Sequence, residues 1–233
     1  MLALALTALA ASTSQVQSNS LLQLLIAEGD PLPGGTAGEL VTDFEIPRAG
    51  GGGGWLAAVR TSDQASAFAE AIIGQRPDQM NGPVRLLRQT QTINGIGQSF
   101  IIFASMANGR VAYTAREELA GSDFRFNAWI EDQPVALGGD PIPGSPGRAW
   151  DNPGDITLTT SGAYYLNGYF RKASGEACRA LWRWPDERIL IEEETTVPGL
   201  SGLIRDFFSE PAISEDGSNW ALLIREWGSG RRA

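Results

Sequence analysis

The sequence predicts an all-β protein: a β-propeller-like array of about four blades of four antiparallel strands, with the last blade incomplete. Three observations predict it. The 233-residue chain is rich in turn formers, with 28 glycines and 13 prolines. Short apolar runs with period-2 alternation recur between those turns. One phrase, Gly-Asp-Pro-apolar-Pro-Gly, is written twice, in "EGDPLPGG" from Glu28 and in "GGDPIPGS" from Gly138.

The phrase belongs to a longer repeat. "QLLIAEGDPLPGG" (Gln23 to Gly35) aligns with "PVALGGDPIPGS" (Pro134 to Ser145), "RILIEEETTVPGLSG" (Arg188 to Gly202) has the same shape, and "RLLRQTQTINGIG" (Arg85 to Gly97) is the weakest copy. Each copy is an apolar strand, a polar step and a turn glycine, at Gly34, Gly95, Gly144 and Gly199. A second landmark keeps time with the first: a glycine precedes an apolar or aromatic strand at Gly54, Gly109, Gly162 and Gly217, at intervals of 55, 53 and 55 residues. Because the third copy of the phrase lacks the Asp, the shared feature is the turn glycine. Asp30 and Asp140 therefore read as turn formers that bond their own backbone.

Further runs complete each unit, among them "SFIIFAS", "FRFNAWIED" and "CRALWRWPD". After "NWALLIREW" no counterpart of "CRALWRW" follows, which leaves the fourth blade without an outer strand. An open edge tends to be paired or covered. The N-terminal segment "LALALTALA", another chain, or a longer array would each supply the cover.

Residues 1–20 read as a signal peptide and polar linker, and residues 21–233 as one repeat domain. The apolar run at the start is too short to span a bilayer and is followed by the small-residue pattern Ala8-Leu9-Ala10, although no Lys or Arg precedes it. This reading makes the protein exported, extracellular or periplasmic, with no transmembrane segment.

Composition removes several function classes. A net charge of −9 repels nucleic acid and anionic lipid. The absence of histidine excludes a Ser-His-Asp triad, a Cys-His pair and the common catalytic zinc sites. Cys178 is the only cysteine, so no internal disulfide forms, and its alternation with Arg179 and Arg183 reads as a buried strand position.

The chain resembles bacterial exported proteins with tandem Asn-x-x-Gly-x-x-Ala-Phe repeats. In these a Gly-Asp-Pro-x-Pro-Gly phrase precedes the Gly-anchored strand by about twenty residues; here Gly34 to Gly54 is 20, and Gly144 to Gly162 and Gly199 to Gly217 are 18. "MANGRVAY" keeps Gly109, Ala112 and the aromatic Tyr113, with Met106 where the Asn is expected. The resemblance implies a propeller-like repeat and an exported compartment. It carries no activity and no catalytic residues.

Candidate sites are sparse. "GGGGG" at Gly50 to Gly54 precedes a strand-like run and has no following Lys, so it reads as a β-turn and not a phosphate loop. Asp30, Asp140, Asn152, Asp155 and Asp216 stand near glycines, and turn chemistry explains them more simply than calcium, the one cofactor they suggest. Glu117–Glu118 and Glu192 to Glu194 are contiguous and read as solvated edges, not as a catalytic pair. Trp55, Trp129, Trp182, Trp184 and Trp220 fall inside strand patterns and are expected to pack between blades. Trp150, with Arg148 and Asp151 beside it in the turn-rich "GRAWDNPGD", is the candidate ligand-binding group.

The function expected is an exported non-catalytic binding or scaffold module, with a glycan, a peptide or a cell-surface polymer as partner. The alternatives are a propeller-type glycan-active enzyme using Asp or Glu from different blades, and a structural protein that self-associates through the open blade edge.

Overall fold

The protein is described by a computed structural model covering residues 3–5, 24–44, 48–62, 69–78, 83–88, 92–120, 123–196, 202–207 and 210–227. Among these residues every regular element is a strand, as expected. The Ala8-Leu9-Ala10 pattern, the polar linker and the turn glycine Gly199 lie outside them.

Near the N-terminus β1 (Ala3–Ala5) pairs with β2 (Leu24–Ala27). The first large sheet contains β3 (Leu40–Phe44), β4 (Arg48–Gly50), β5 (Gly54–Ser62), β6 (Ala69–Gln75) and β7 (Val84–Arg88). Its order is β3-β5-β6-β7, with β4 also on β5. The second contains β8 (Thr92–Ile93), β9 (Ile96–Ala107), β10 (Arg110–Glu118), β11 (Phe124–Ile130) and β12 (Gln133–Leu137), each beside its chain neighbours. The third is the meander β13 (Ala149–Leu158), β14 (Tyr164–Arg171), β15 (Ala177–Trp184) and β16 (Arg188–Glu192). The C-terminal unit is slighter among the described residues: β17 (Leu203–Phe207) pairs with β20 (Ile224–Trp227), and β18 (Ala212–Ile213) with β19 (Trp220–Ala221).

The repeated phrase is the corner between sheets, and its copies share a bonding pattern. The Gly29 and Asp30 N–H groups donate to the Val41 and Ala27 carbonyls, and Gly35 N–H to Leu32; Gly139, Asp140 and Ser145 do the same to Trp150, Leu137 and Ile142. The Asp30 carboxylate accepts the Ala27 N–H at 2.8 Å, the turn role expected of it. In the third copy Glu194 stands where the others have Gly29 and Gly139 and adopts φ 64°, while the Thr195 hydroxyl donates to the Glu192 carbonyl. The fourth copy is not a corner. Asn94 and Gly95, at φ 52° and 82°, form the tight hairpin between β8 and β9.

Two boundaries shift from the sequence reading. The apolar run before each corner closes the preceding sheet: β12 pairs with β11 and β16 with β15. In the first unit the left-handed turn residues are Gly52 and Gly53, and Gly54 already begins β5, whereas Gly109, Gly162 and Gly217 all have positive φ.

Successive sheets pack face to face. Leu56 and Ile72 of the first sheet share a core with Met106, Tyr113 and Trp129 of the second. Ala112, Ala128 and Ile130 of the second share another with Trp150, Ile156, Phe170 and Trp182 of the third. Trp55, Trp129 and Trp182 are buried as expected, but Trp184 and Trp220 are 39% and 38% exposed. Each lies at the margin of the packed sheets, where no further layer covers it among the described residues.

Candidate functional site

β4, β9, β13 and β18, one strand from each unit, end in turns, and the four turns meet. Gly51 N–H donates to the Met106 carbonyl at 3.0 Å and Asn108 N–H back to the Gly51 carbonyl at 2.9 Å, joining the first unit to the second. Asn108 Nδ2 donates to the Thr160 carbonyl at 2.7 Å, and Leu158 N–H to Ser105 Oγ at 3.0 Å, joining the second to the third. Thr160 N–H donates to the Glu215 carbonyl at 2.8 Å and the Tyr165 hydroxyl to the Gly217 carbonyl at 2.7 Å, joining the third to the C-terminal unit. The C-terminal unit also reaches the first. Gly52 N–H donates to Glu215 Oε1 at 2.7 Å, and Arg48 pairs with Glu210 at 3.0 Å.

Inside these contacts lies a cavity of about 400 Å³. Its charged lining is Arg48, Glu210 and Glu215; Ser105, Thr157 and Ser214 add hydroxyls, and Met106, Leu158 and Ile213 add apolar surface. Every unit contributes, because the glycine turns bring the ends of β4, β9, β13 and β18 to one place. Such a mixture suits a ligand with both hydroxyls and a hydrophobic face.

The residues singled out in "GRAWDNPGD" are engaged elsewhere. From Ala149 onward that segment is strand β13, not a loop, and Trp150 is 3% exposed, edge-on to Trp182 at 6.0 Å between centroids. Arg148 bonds Glu192 at 3.0 Å and lies over the Phe170 ring, 5.0 Å from its centroid. Asp151 accepts from Arg171 at 2.8 Å. The three side chains hold the third sheet together.

The other sequence readings divide. "GGGGG" is a hairpin turn, with Gly53 N–H bonded to the Gly50 carbonyl. Asp216 accepts from the Ser214 and Ser218 hydroxyls and the Ser218 N–H, and these bonds, led by the backbone one, hold its carboxyl down at about 2. Asn152 Oδ1 accepts the Gly154 N–H at 2.9 Å. Cys178 is buried, and burial pushes its thiol up to about 11. The glutamates read as solvated edges are only partly so. Glu117 accepts from Arg125 and Asn127, Glu192 pairs with Arg148, and Glu193 accepts the Arg179 N–H, whereas Glu118 and Glu194 are exposed.

Asp155 departs furthest from the turn reading. It lies inside β13, 7% exposed, and its cross-strand partner Asn167 is 3% exposed. Backbone crowding builds the place: a Cβ on Gly154 would fall 2.1 Å from the Asn167 carbonyl oxygen, and one on Gly168 2.3 Å from the Asn152 carbonyl oxygen. Alternation along "GDITLTT" puts Asp155 on the Thr157 side of the strand, which was the available signal. The cavity residues Arg48 and Glu210 were not legible as a pair, because 162 positions separate them. No family model matches this chain, and no curated protein matches it in sequence.

Proposed function

We propose that this chain is a non-catalytic binding module in which the units stand as four blades around an axis, the β1–β2 pair, with Ala3–Ala5 kept in the chain and not removed as a signal, supplying the outer half of the blade begun by β17 to β20. The cavity on that axis is the ligand site, and a hydroxyl-rich ligand of the glycan class is its occupant. One observation carries the reading: all four units contribute to a single cavity, with the C-terminal unit bonded to the first at Gly52–Glu215 and Arg48–Glu210. The pairing supports the blade assignment. β2 precedes a corner as β12 and β16 do, and β1 flanks it as β11 flanks β12 and β15 flanks β16. The resemblance to Asn-x-x-Gly-x-x-Ala-Phe repeat proteins is part of the same proposal.

Calorimetric titration of the full chain against glycans, peptides and cell-surface polymers, with and without calcium, tests it. Glycan binding weakened at least tenfold by Glu210→Gln supports the proposal, and no binding across the panel overturns it. Turnover of a bound glycan that Glu210→Gln abolishes would replace binding by catalysis.

A second reading, self-association through a strand edge, draws on Leu203, Trp220 and Leu223, which are 44%, 38% and 63% exposed in the C-terminal unit. Light scattering at high concentration tests it, and a strictly monomeric species rules it out.

A further inference from the structure

Asp155 and Asn167 stand directly opposite each other on β13 and β14, where Cβ atoms of facing residues are about 4.5–5.5 Å apart. Both are more than nine-tenths buried, yet Asp155 Oδ1, Asn167 Oδ1 and Asn167 Nδ2 have no hydrogen-bond partner. Unpaired polar atoms at such depth are costly, and a cluster of three calls for a common solution. An ionised Asp155 offers only acceptors, so it can take the Asn167 amide N–H but leaves Asn167 Oδ1 unpaired. The neutral acid has the missing donor.

We propose that Asp155 and Asn167 form a proton-dependent clasp in the third sheet: neutral Asp155 donates its Oδ1–H to Asn167 Oδ1, while Asn167 Nδ2 donates to the second Asp155 oxygen. When pH rises the proton leaves to solvent, one of the two bonds is lost, and a buried negative charge appears within the third sheet. The clasp does not depend on what the cavity among the four turns binds.

The surroundings set the working range. Burial, with the Glu210 charge adding to it, pushes the Asp155 carboxyl up to about 6, while Arg48 and Arg179 pull the other way. Of these charged groups Arg48 comes from β4, Glu210 from the segment before β18 and Arg179 from β15. The folded-state value lies above the unfolded one, so the folded chain binds the proton more tightly. The clasp's contribution to stability is therefore complete below the unfolded value of 3.8 and is lost as pH rises through about 6.

Urea unfolding of the full chain and of Asp155→Asn, which keeps the side-chain size without the titration, tests the proposal. The wild-type folding constant should fall relative to that of Asp155→Asn by on the order of a hundredfold between about pH 4 and about pH 7. A ratio that does not change with pH overturns the clasp. Should Asp155→Asn fail to fold, carboxyl-carbon NMR of Asp155 in the wild type decides: a midpoint near 6 supports the clasp, and one in the ordinary range near about 4 contradicts it.

Discussion

The third sheet and the C-terminal unit are written by the same repeat and end differently. Three residues after the turn glycine the third sheet has Tyr165 and the C-terminal unit has Trp220. Tyr165 is 1% exposed and bonded through its hydroxyl to the Gly217 carbonyl, whereas Trp220 is 38% exposed. The next positions keep the contrast, with Leu166 buried and Ala221 exposed. The turn geometry of the two hairpins is alike, at φ 84° for Gly162 and 73° for Gly217. Local sequence thus fixes the bend, while burial depends on how many neighbouring layers each strand receives.

The largest expected effects break this contrast directly. Tyr165→Ala should cost roughly 3–5 kcal/mol in urea unfolding, because it empties a core position and frees a buried carbonyl partner. Trp220→Ala at the equivalent position should cost less, about 1–2 kcal/mol, because part of that side chain is already exposed. A similar cost for both would mean that Trp220 is covered in solution.

The corners offer a finer contrast. Gly144 has φ 69°, and a Cβ there would fall 1.8 Å from the Glu187 carbonyl oxygen, whereas at Gly34, φ 65°, the nearest atom is 3.8 Å away. Gly34→Ala should therefore cost about 1–2 kcal/mol through the left-handed backbone alone. Gly144→Ala adds overpacking and should cost roughly 2–5 kcal/mol. Equal costs would show that the Glu187 backbone yields freely.

The smallest expected effect is at the third corner. Glu194 holds φ 64° where the other corners have glycine, and its carboxylate accepts from Lys172 at 2.9 Å. Glu194→Gly relieves the backbone but loses an exposed ion pair worth about 0–1 kcal/mol and adds unfolded-state freedom. The net change should stay within about 1 kcal/mol, whereas Gly139→Ala, at φ 95°, should destabilise by more than that.

What was legible in the sequence follows the same division. The all-β class, the corners at Gly34 and Gly144 and the hairpin turns at Gly109, Gly162 and Gly217 rest on backbone angles that glycine and its neighbours set locally. Trp150, Arg148 and Asp151 were legible as an unusual group but not as a packed one, because their partners Trp182, Glu192 and Arg171 come from β15, β16 and β14. Asp155 looked like one more turn acid because it follows Gly154. Alternation sets Asp155 and Thr157 on one side of the strand without showing which layer covers that side, so the buried pair with Asn167 emerged only with the sheet. The cavity was least legible of all, since it exists only where four distant turns meet.

The central claim is that the C-terminal unit closes against the first, and the Gly52 amide reads this most directly. Gly52 N–H donates to Glu215 Oε1 at 2.7 Å in an exposed turn that offers it little other protection. In hydrogen exchange of the full chain, the Gly52 amide should exchange markedly slower than an open-loop amide, and Glu215→Ala should remove that protection. Unprotected exchange of Gly52 in the wild type, at the rate of an open loop, would contradict the closure and with it the shared cavity.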